Sequence, residues 1–389
     1  MITATDVTLH LFALSLCWAA LPADLAPKPQ IADLFIAGTE GYHTYRIPAL
    51  LATQKGTLLA FCEGRKASRS DSGDIDLLVK RSADGGKTWS RQQTVWDDGA
   101  NTCGNPCPVV DQATGTIWLP MTWNHGQDTE SQIKQNTGKD TRRVFITHSN
   151  DDGRTWATPR EITADVKRPE WRWYATGPGV GIQLTQGAWK GRLLIPCDYS
   201  VVLPNNPDGY CSHVIFSDDH GLTWRLGGEI RPAVNECQVV ELTNGTLLIN
   251  MRNSDRSRTS RAIATSTDGG MTWSSVRHDP ALVEPICQAS LVRCTAQPQD
   301  SGNRLLFSNP GHAESGKRLD MTIRMSEDGG KTWPVSRVLW PGPAAYSCLA
   351  AMPEGSIACL FEAGEKHPYE RIVLARFERA WLVGADGPP

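Results

Sequence analysis

The chain has 389 residues, of which 40% are hydrophobic, and its formal net charge is −3. This length and composition allow a large buried core. The small, slightly acidic net charge argues against a protein that binds nucleic acid or another polyanion.

An apolar stretch near the N-terminus is the first feature along the chain. Residues 9–21 read LHLFALSLCWAAL and are followed by Pro-Ala-Asp. The stretch is too short to span a membrane and is typical of the hydrophobic region of a secretory signal. We therefore predict a leader over residues 1–26, a secreted or periplasmic protein without integral membrane association, and one domain over residues 27–389.

The pattern Ser-x-Asp-x-Gly-x-Thr-Trp occurs five times, at start-to-start separations of 49 to 68 residues, which is the spacing of a repeated unit with loops of different length. Its Ser and Asp side chains can bond to nearby backbone N–H groups, its Gly supplies a positive φ, and its Trp is large enough to anchor the turn between neighbouring sheets. We call each copy an Asp box. The boxes are residues 82–89, 149–156, 217–224, 266–273 and 326–333.

Short strand-like segments surround the boxes. Alternating segments such as residues 75–81 and 321–325 run directly into a box, and further short strands such as residues 56–61 and 245–250 lie between boxes. No long amphipathic helix is evident. Several short strands in each period of about 60 residues match a four-stranded blade, so the sequence predicts an all-β, six-bladed β-propeller.

A second set of residues does not repeat. Its members stand in short distinctive segments, in a fixed order among the boxes. They are Arg46 in Tyr-Arg-Ile-Pro, Asp71 in Ser-Asp-Ser-Gly-Asp, Glu236 in Asn-Glu-Cys-Gln, Arg252 in Met-Arg-Asn, Arg318 in Arg-Leu-Asp-Met, and Tyr346 in Ala-Tyr-Ser.

In these motifs and their order, the chain resembles the sialidase (exo-α-neuraminidase) family along nearly its whole length after Leu34. The substrate that this implies, sialic acid, carries a carboxylate on its anomeric carbon. Arg46, Arg252 and Arg318 would bind that carboxylate, because arginine stays charged and pairs with carboxylates through two parallel hydrogen bonds.

The resemblance also implies the catalytic roles. Sialidases with a tyrosine nucleophile are a stated exception to the two-carboxylate scheme of glycosidases, and a neutral phenol avoids repulsion by the substrate carboxylate. Tyr346 would be the nucleophile, Glu236 its base, and Asp71 the acid/base. Asp74 and Asp76 lie close enough to Asp71 to compete for that role.

Four further residues are weaker candidates for the substrate pocket. Arg65 resembles a family arginine that lies near the sugar's O4. The alternative is that Arg65 is a solvated surface residue. Asp111 is either a polar pocket residue or the residue that fixes the next turn. Trp123 and the segment that contains Tyr174 resemble parts of the family that line the glycerol and N-acetyl sides of the sugar. The alternative is a structural role, which is common for tryptophan.

We predict no metal site and no cofactor, since the histidines are scattered without ligand spacing. The eleven cysteines are either buried free thiols or form one or two disulfides, such as Cys103 with Cys107.

The predicted function is hydrolysis of terminal α-ketosidically linked sialic acids from sialylated glycans by a retaining exo-sialidase. A trans-sialidase and a non-catalytic glycan-binding propeller are the alternatives. The binding propeller would lack at least one of the six motif residues, and this chain has all six.

Overall fold

The computed structural model describes residues 27–202, 209–294, 302–312, 316–352 and 354–384. The predicted leader, residues 1–26, lies outside the described residues. Strand β1 (Gln30–Ile36) comes first in the described chain. It pairs antiparallel with the last strand, so that Gln30 lies opposite Arg376 and both ends of the described chain share one sheet.

The remaining strands follow in four sheets. The first holds β2 (Thr44–Ala52), β3 (Leu58–Arg65), β4 (Ile75–Ser82), β5 (Gln93–Trp96), β6 (Thr102–Gly104), β7 (Val109–Val110), β8 (Ile117–Asn124), β9 (Arg143–Ser149) and β10 (Arg160–Glu161). The second holds β11 (Tyr174–Thr176), β12 (Ile182–Gln183), β13 (Leu193–Ser200), β14 (Tyr210–Ser217) and β15 (Arg225–Ile230).

The third sheet holds β16 (Val234–Glu241), β17 (Leu247–Asn253), β18 (Ser260–Ser266) and β19 (Arg277–Val283). The fourth contains β1 together with β20 (Ser290–Arg293), β21 (Leu305–Pro310), β22 (Leu319–Ser326), β23 (Val335–Ala351), β24 (Ile357–Ala363) and β25 (Arg371–Phe377). The prediction of a mostly β chain is confirmed.

Helices are short wherever the chain is described: α1 (Glu130–Gln135), α2 (Thr163–Val166), α3 (Arg379–Val383) and a 3-10 turn at Gly187–Trp189. Within the described ranges, no helix has both the length and the apolar character needed to cross a membrane.

Many strands that follow one another in the chain pair antiparallel, as β2 with β3, β13 with β14 and β16 with β17 do. Strand β23 pairs along its first part with β22 and along its last part with β24, and so joins two runs of strands. Strands β4 and β6 instead pair parallel, with Ile75 opposite Thr102. Hydrophobic clusters then fill the space between neighbouring runs of strands, as one cluster does with Leu59 and Phe61 from β3 and Leu119 and Met121 from β8.

The Asp boxes fold as the pattern predicts. In the second box, Asp151 accepts hydrogen bonds from the Thr155 N–H at 2.9 Å and the Thr155 hydroxyl at 2.6 Å, while Ser149 accepts one from the Gly153 N–H at 2.9 Å. The box tryptophan Trp156 packs edge-on against Phe61 of β3, with ring centroids 5.6 Å apart. The box therefore closes its own turn and attaches it to the preceding run of strands.

Candidate active site

One pocket brings together residues from distant parts of the chain. They come from β2, β3, the loop after β3, β16, β17, the segment before β22, and β23. All six motif residues and one of the weaker candidates line the pocket: Arg46, Arg65, Asp71, Glu236, Arg252, Arg318 and Tyr346.

Irregular strand pairing turns three of these side chains toward the pocket. The register shifts between Arg46 and Ala49 in β2, between Val234 and Cys237 in β16, and between Ala344 and Ser347 in β23. A bulge in a strand commonly re-aims a side chain next to an active site. Arg46 stands at the edge of the first shift, and Glu236 and Tyr346 lie inside the other two.

Tyr346 and Glu236 form the shortest polar contact among the motif residues. The Tyr346 hydroxyl donates to Glu236 Oε1 at 2.5 Å. Arg252 Nη1 donates to Glu236 Oε2 at 2.8 Å and to the Tyr346 hydroxyl at 3.2 Å. A carboxylate thus stands ready to accept the phenol proton, and a cation stands beside the oxygen that would become negative.

The pKa of Tyr346 reflects this setting. Burial raises the pKa well above its ordinary value, and the Glu236 carboxylate raises it further. The guanidiniums of Arg252, Arg318 and Arg46 act in the opposite direction. The phenol of raised pKa is therefore neutral at neutral pH, and it would need a base to act as a nucleophile.

Glu362 fixes Arg46 from below the pocket. Its fully buried carboxylate accepts from Arg46 Nε at 3.1 Å and Nη2 at 3.3 Å. The same carboxylate accepts the backbone N–H groups of Ile47 at 2.9 Å and Tyr346 at 3.1 Å. One buried acid therefore ties together the two strands that carry Arg46 and Tyr346.

Arg318 has neutral partners. Its guanidinium donates to the Tyr369 hydroxyl at 3.0 Å and to the Ile286 carbonyl at 3.1 Å. Tyr369 also lies under Arg46, whose Cζ is 4.0 Å from the ring centroid. Because its hydrogen-bond partners in the described part of the chain carry no charge, Arg318 leaves a positive charge for a ligand.

Asp71 lies at the mouth of the pocket, with 56% of its side chain exposed. Its Oδ1 is 2.7 Å from Arg65 Nη2 and 3.4 Å from Arg46 Nη1. Partial loss of water around the Asp71 carboxyl would by itself raise its pKa, but the charges of Arg65 and Arg46 outweigh this effect and hold the pKa below its ordinary value. Arg65 is itself held by Glu63 Oε2 at 2.6 Å.

Tyr174 and Trp123 do not line the pocket, which corrects both predictions. Tyr174 is fully buried and its hydroxyl donates to the Val166 carbonyl at 3.4 Å. Side chains alternate along a strand, so its neighbours Trp173 and Ala175 line the pocket instead. Trp123 is likewise not among the residues that line the pocket, and its indole N–H donates to Asp98 Oδ2 at 2.7 Å.

Asp111 has the turn-fixing role that was its alternative. Its carboxylate accepts from the Ala113 N–H at 3.0 Å and the Thr114 hydroxyl at 2.9 Å. It also contacts Gln183 and His220, each at 2.9 Å. Asp111 is fully buried and is not a pocket residue.

Several pocket residues were not named as site residues by the sequence analysis. Arg142 is buried, lies over the Trp173 ring with its Cζ 3.9 Å from the centroid, and donates to Asn124 at 2.8 Å. For Glu362, which binds Arg46, the sequence did offer a signal. Glu362 is the one acid in the apolar strand IACLFEA, and a buried acid needs a partner. The missed lining residues include Glu63, Asn105, Glu130, Arg142, Trp173, Asp198, Tyr210, Asn235 and Tyr369.

Within the described ranges, one group of carboxylates lies close enough together to hold a metal ion, and it consists of Asp74, Asp76 and Asp97. The ammonium of Lys66 lies among these carboxylates, 2.8 Å from Asp74, and neither Asp74 nor Asp76 lines the pocket. The absence of a metal and of a cofactor stays a prediction.

The thiols of Cys103 and Cys107 are both buried and free, so the disulfide proposed between them is not formed.

Comparison with known proteins identifies the family. Residues 56–359 match the BNR repeat-like domain family. The chain is 31% identical over 90% of its length to the exo-alpha-sialidase of Aspergillus fumigatus, and the match covers 86% of that protein. The chain belongs to the sialidase family. It is also 37% identical over 97% of its length to a sialidase of Micromonospora viridifaciens.

The structure agrees with this membership. Hadza microbial sialidase Hz136 superposes with a TM-score of 0.80 at 33% identity, over 91% of this sialidase-family chain and 69% of that one. Two bacterial relatives are longer than this chain. The chain spans 58% of the Micromonospora viridifaciens sialidase and 62% of a Bacteroides fragilis sialidase.

Proposed function

We propose that this protein is an exo-α-sialidase that hydrolyses terminal, α-ketosidically linked sialic acids of sialylated glycans with retention of configuration. The observation that carries the proposal is the contact of Tyr346 with Glu236 at 2.5 Å beside Arg252, in a pocket that also holds Arg46 and Arg318. Membership of the sialidase family supports it.

The three arginines would bind the substrate carboxylate. Arg46 and Arg252 are already oriented by Glu362 and Glu236, so they lose little freedom when a ligand binds. Arg318 adds the charge that neutral partners leave uncompensated. A carboxylate that reaches all three meets preorganised donors, which stabilises binding more than flexible surface cations would.

In the first chemical step, the Tyr346 oxygen attacks the anomeric carbon and Glu236 accepts the phenol proton. The bond from the anomeric carbon to the glycosidic oxygen breaks, and Asp71 gives its proton to that oxygen. The cation of Arg46 is one of those that lower the pKa of Asp71. Its pairing with the substrate carboxylate would therefore raise that pKa and favour the acid form.

In the second step, water attacks the anomeric carbon of the glycosyl-tyrosine from the side that the leaving group vacated. Asp71, now a carboxylate, accepts the water proton. The bond to the tyrosine oxygen breaks, and Glu236 returns the proton to the phenol. Two displacements at one carbon give retention overall.

We also propose that the strands form the blades of a six-bladed propeller within a single domain. Six antiparallel runs support this: two in the nine-stranded sheet, two that share β23, and one each in the five- and four-stranded sheets. The pairing of β1 with β25 would close the ring by joining the two ends of the described chain.

Release of fluorophore from the 4-methylumbelliferyl α-ketoside of N-acetylneuraminic acid tests the proposed function. We expect turnover by the parent protein and loss of turnover in Tyr346→Phe, with unchanged thermal melting. Proton NMR of the parent reaction should show the α-anomer of free sialic acid first. A folded parent without turnover, or a β-anomer formed first, would contradict the proposal.

A further inference from the structure

The loop that carries Asp71 has its two ends joined by one residue. The backbone N–H of Lys66 donates to the Asp74 carbonyl at 3.1 Å, and its ammonium lies 2.8 Å from Asp74 Oδ1. Residues 67–73 lie between these two contacts, and Asp71 is among them. Lys66 thus closes the loop through its main chain and its side chain.

The same ammonium reaches past the loop to the sheet beneath it. It lies 3.2 Å from Asp76 Oδ2 in β4 and 3.8 Å from Asp97 Oδ2. Asp76 is almost fully buried, and its Oδ2 accepts the Tyr42 hydroxyl at 2.6 Å. A buried carboxylate is costly unless it is paired. The charge of Lys66 therefore links the loop to a fixed point of the core.

The tip of the loop has contacts of its own. Ser68, Ser70 and Ser72 are polar, and the hydrogen bonds of their hydroxyls join them to one another and to the loop backbone. The Gly73 carbonyl accepts from the Thr102 hydroxyl at 2.9 Å, close to the end that Lys66 holds. Arg65 Nη1 also donates to the Arg69 carbonyl at 2.7 Å, and Arg65 Nη2 lies 2.7 Å from Asp71 Oδ1. The position of Asp71 over the pocket therefore depends both on Arg65 and on Lys66, which holds the two ends of the loop.

We propose that Lys66 is a positioning residue: without touching the substrate, it holds the acid/base Asp71 over the glycosidic oxygen. The inference rests on the proposed function, because it assigns Asp71 the proton transfer. It predicts a leaving-group dependence. An alcohol leaves poorly and needs the proton from Asp71, whereas the acidic phenol of an aryl ketoside leaves without it.

The test compares kcat/KM of Lys66→Met on sialyllactose and on the 4-methylumbelliferyl ketoside. We expect the loss on sialyllactose to exceed the loss on the aryl ketoside by about tenfold or more, since small misplacements of a catalytic group can cost about 100-fold. Lys66→Arg, which keeps the cation, should recover most of the loss. An equal loss on both substrates, or no loss, would overturn the proposal.

Lys80→Met is the matched control. Lys80 likewise pairs with a carboxylate, that of Glu40 at 3.1 Å, but it lies on β4 away from the loop. It should lower kcat/KM equally on both substrates or not at all. If Lys66→Met does not fold, Asp74→Asn removes the loop end of the same contact and should give the same selectivity.

Hydrogen exchange provides a readout that does not need turnover. The amides of residues 67–73 should exchange faster in Lys66→Met than in the parent, and Lys80→Met should leave them unchanged. Unchanged exchange in Lys66→Met would overturn the positioning role. A parent protein that is inactive on both substrates would contradict the proposed function, and the exchange result would still decide whether Lys66 holds the loop.

Discussion

The Tyr346 hydroxyl donates a hydrogen bond of 2.5 Å to Glu236 Oε1, although the two residues are 110 positions apart in the chain. Each sits in an irregular segment of a different sheet. The contact pairs a buried phenol of raised pKa with a carboxylate that can accept its proton. Arg252 stabilises both groups.

Replacement of Glu236 tests the base. Glu236→Gln keeps the size of the side chain but cannot take the phenol proton, so we expect kcat/KM on the aryl ketoside to fall by about 10²- to 10⁴-fold. Glu241→Gln is the matched control on the same strand. Glu241 binds the Thr185 N–H at 2.7 Å outside the pocket, so its variant should stay near the parent. Equal activity of the two variants would remove Glu236 from the base role.

Arg318 tests the carboxylate site. Arg318→Ala should raise KM by about 10- to 100-fold, since a hydrogen bond to a charged group contributes about 1.5–3 kcal/mol. Inhibition by free sialic acid should weaken in parallel. Steady-state kinetics with Arg379→Ala, which removes an exposed cation paired with Glu327 at 3.2 Å, provide the control. An unchanged KM in Arg318→Ala would place the substrate carboxylate elsewhere.

Arg65 sets part of the pH dependence. Its guanidinium lowers the pKa of Asp71, and the acid form of Asp71 is lost as the pH rises through that pKa. Arg65→Met should raise the pKa of Asp71 and move the alkaline limb of kcat/KM for sialyllactose to higher pH. The pH at which this limb falls can be measured independently of any loss in substrate affinity. A limb that stays in place, or moves to lower pH, would contradict the assignment of Asp71.

The Asp boxes link stability to pH. Burial works to raise the pKa of Asp151, but hydrogen bonds from Thr155 and Ser149 outweigh it and lower the pKa to about 2. Because the folded pKa lies below the unfolded value of about 3.9, the stability from this group is present above about pH 4 and is lost as the pH falls toward about 2.

Asp151→Ala should therefore cost about 1–3 kcal/mol in the free energy of unfolding at neutral pH, through the lost hydrogen bonds. The cost should shrink as the pH falls from about 4 to about 2. Thermal melts across this range measure it, with the exposed Asp165→Ala as control. A cost that is constant with pH would mean that the Asp151 charge does not contribute.

Patterns that repeat or carry distinctive neighbours were readable from the sequence. The five boxes predicted the β architecture, and the six motif residues were expected in one site, where the structure brings them together. Trp123 and Tyr174 were placed wrongly, because which face of a strand a side chain occupies depends on register. A shift of one residue separates Tyr174 in the core from Ala175 in the pocket.

The partners of residues that act across the fold were not readable from the sequence. Glu362 meets Arg46 across 316 positions of sequence, and Tyr369 contacts both Arg46 and Arg318 only after several sheets have assembled. Neither stands in a repeat, and their partners are set by tertiary packing. Bulges at Arg46, Glu236 and Tyr346 have no clear sequence signal either, although they turn these side chains into the pocket.

Covalent trapping tests the central claim, that Tyr346 is the nucleophile, most directly. A sialosyl fluoride with fluorine at carbon 3 slows both steps through its electron-withdrawing effect but keeps a good leaving group, so the glycosyl-enzyme accumulates. Mass spectrometry of the digested protein should place the adduct on Tyr346, and Tyr346→Phe should carry none. An adduct on another residue, or steady turnover of the reagent by Tyr346→Phe, would contradict the account.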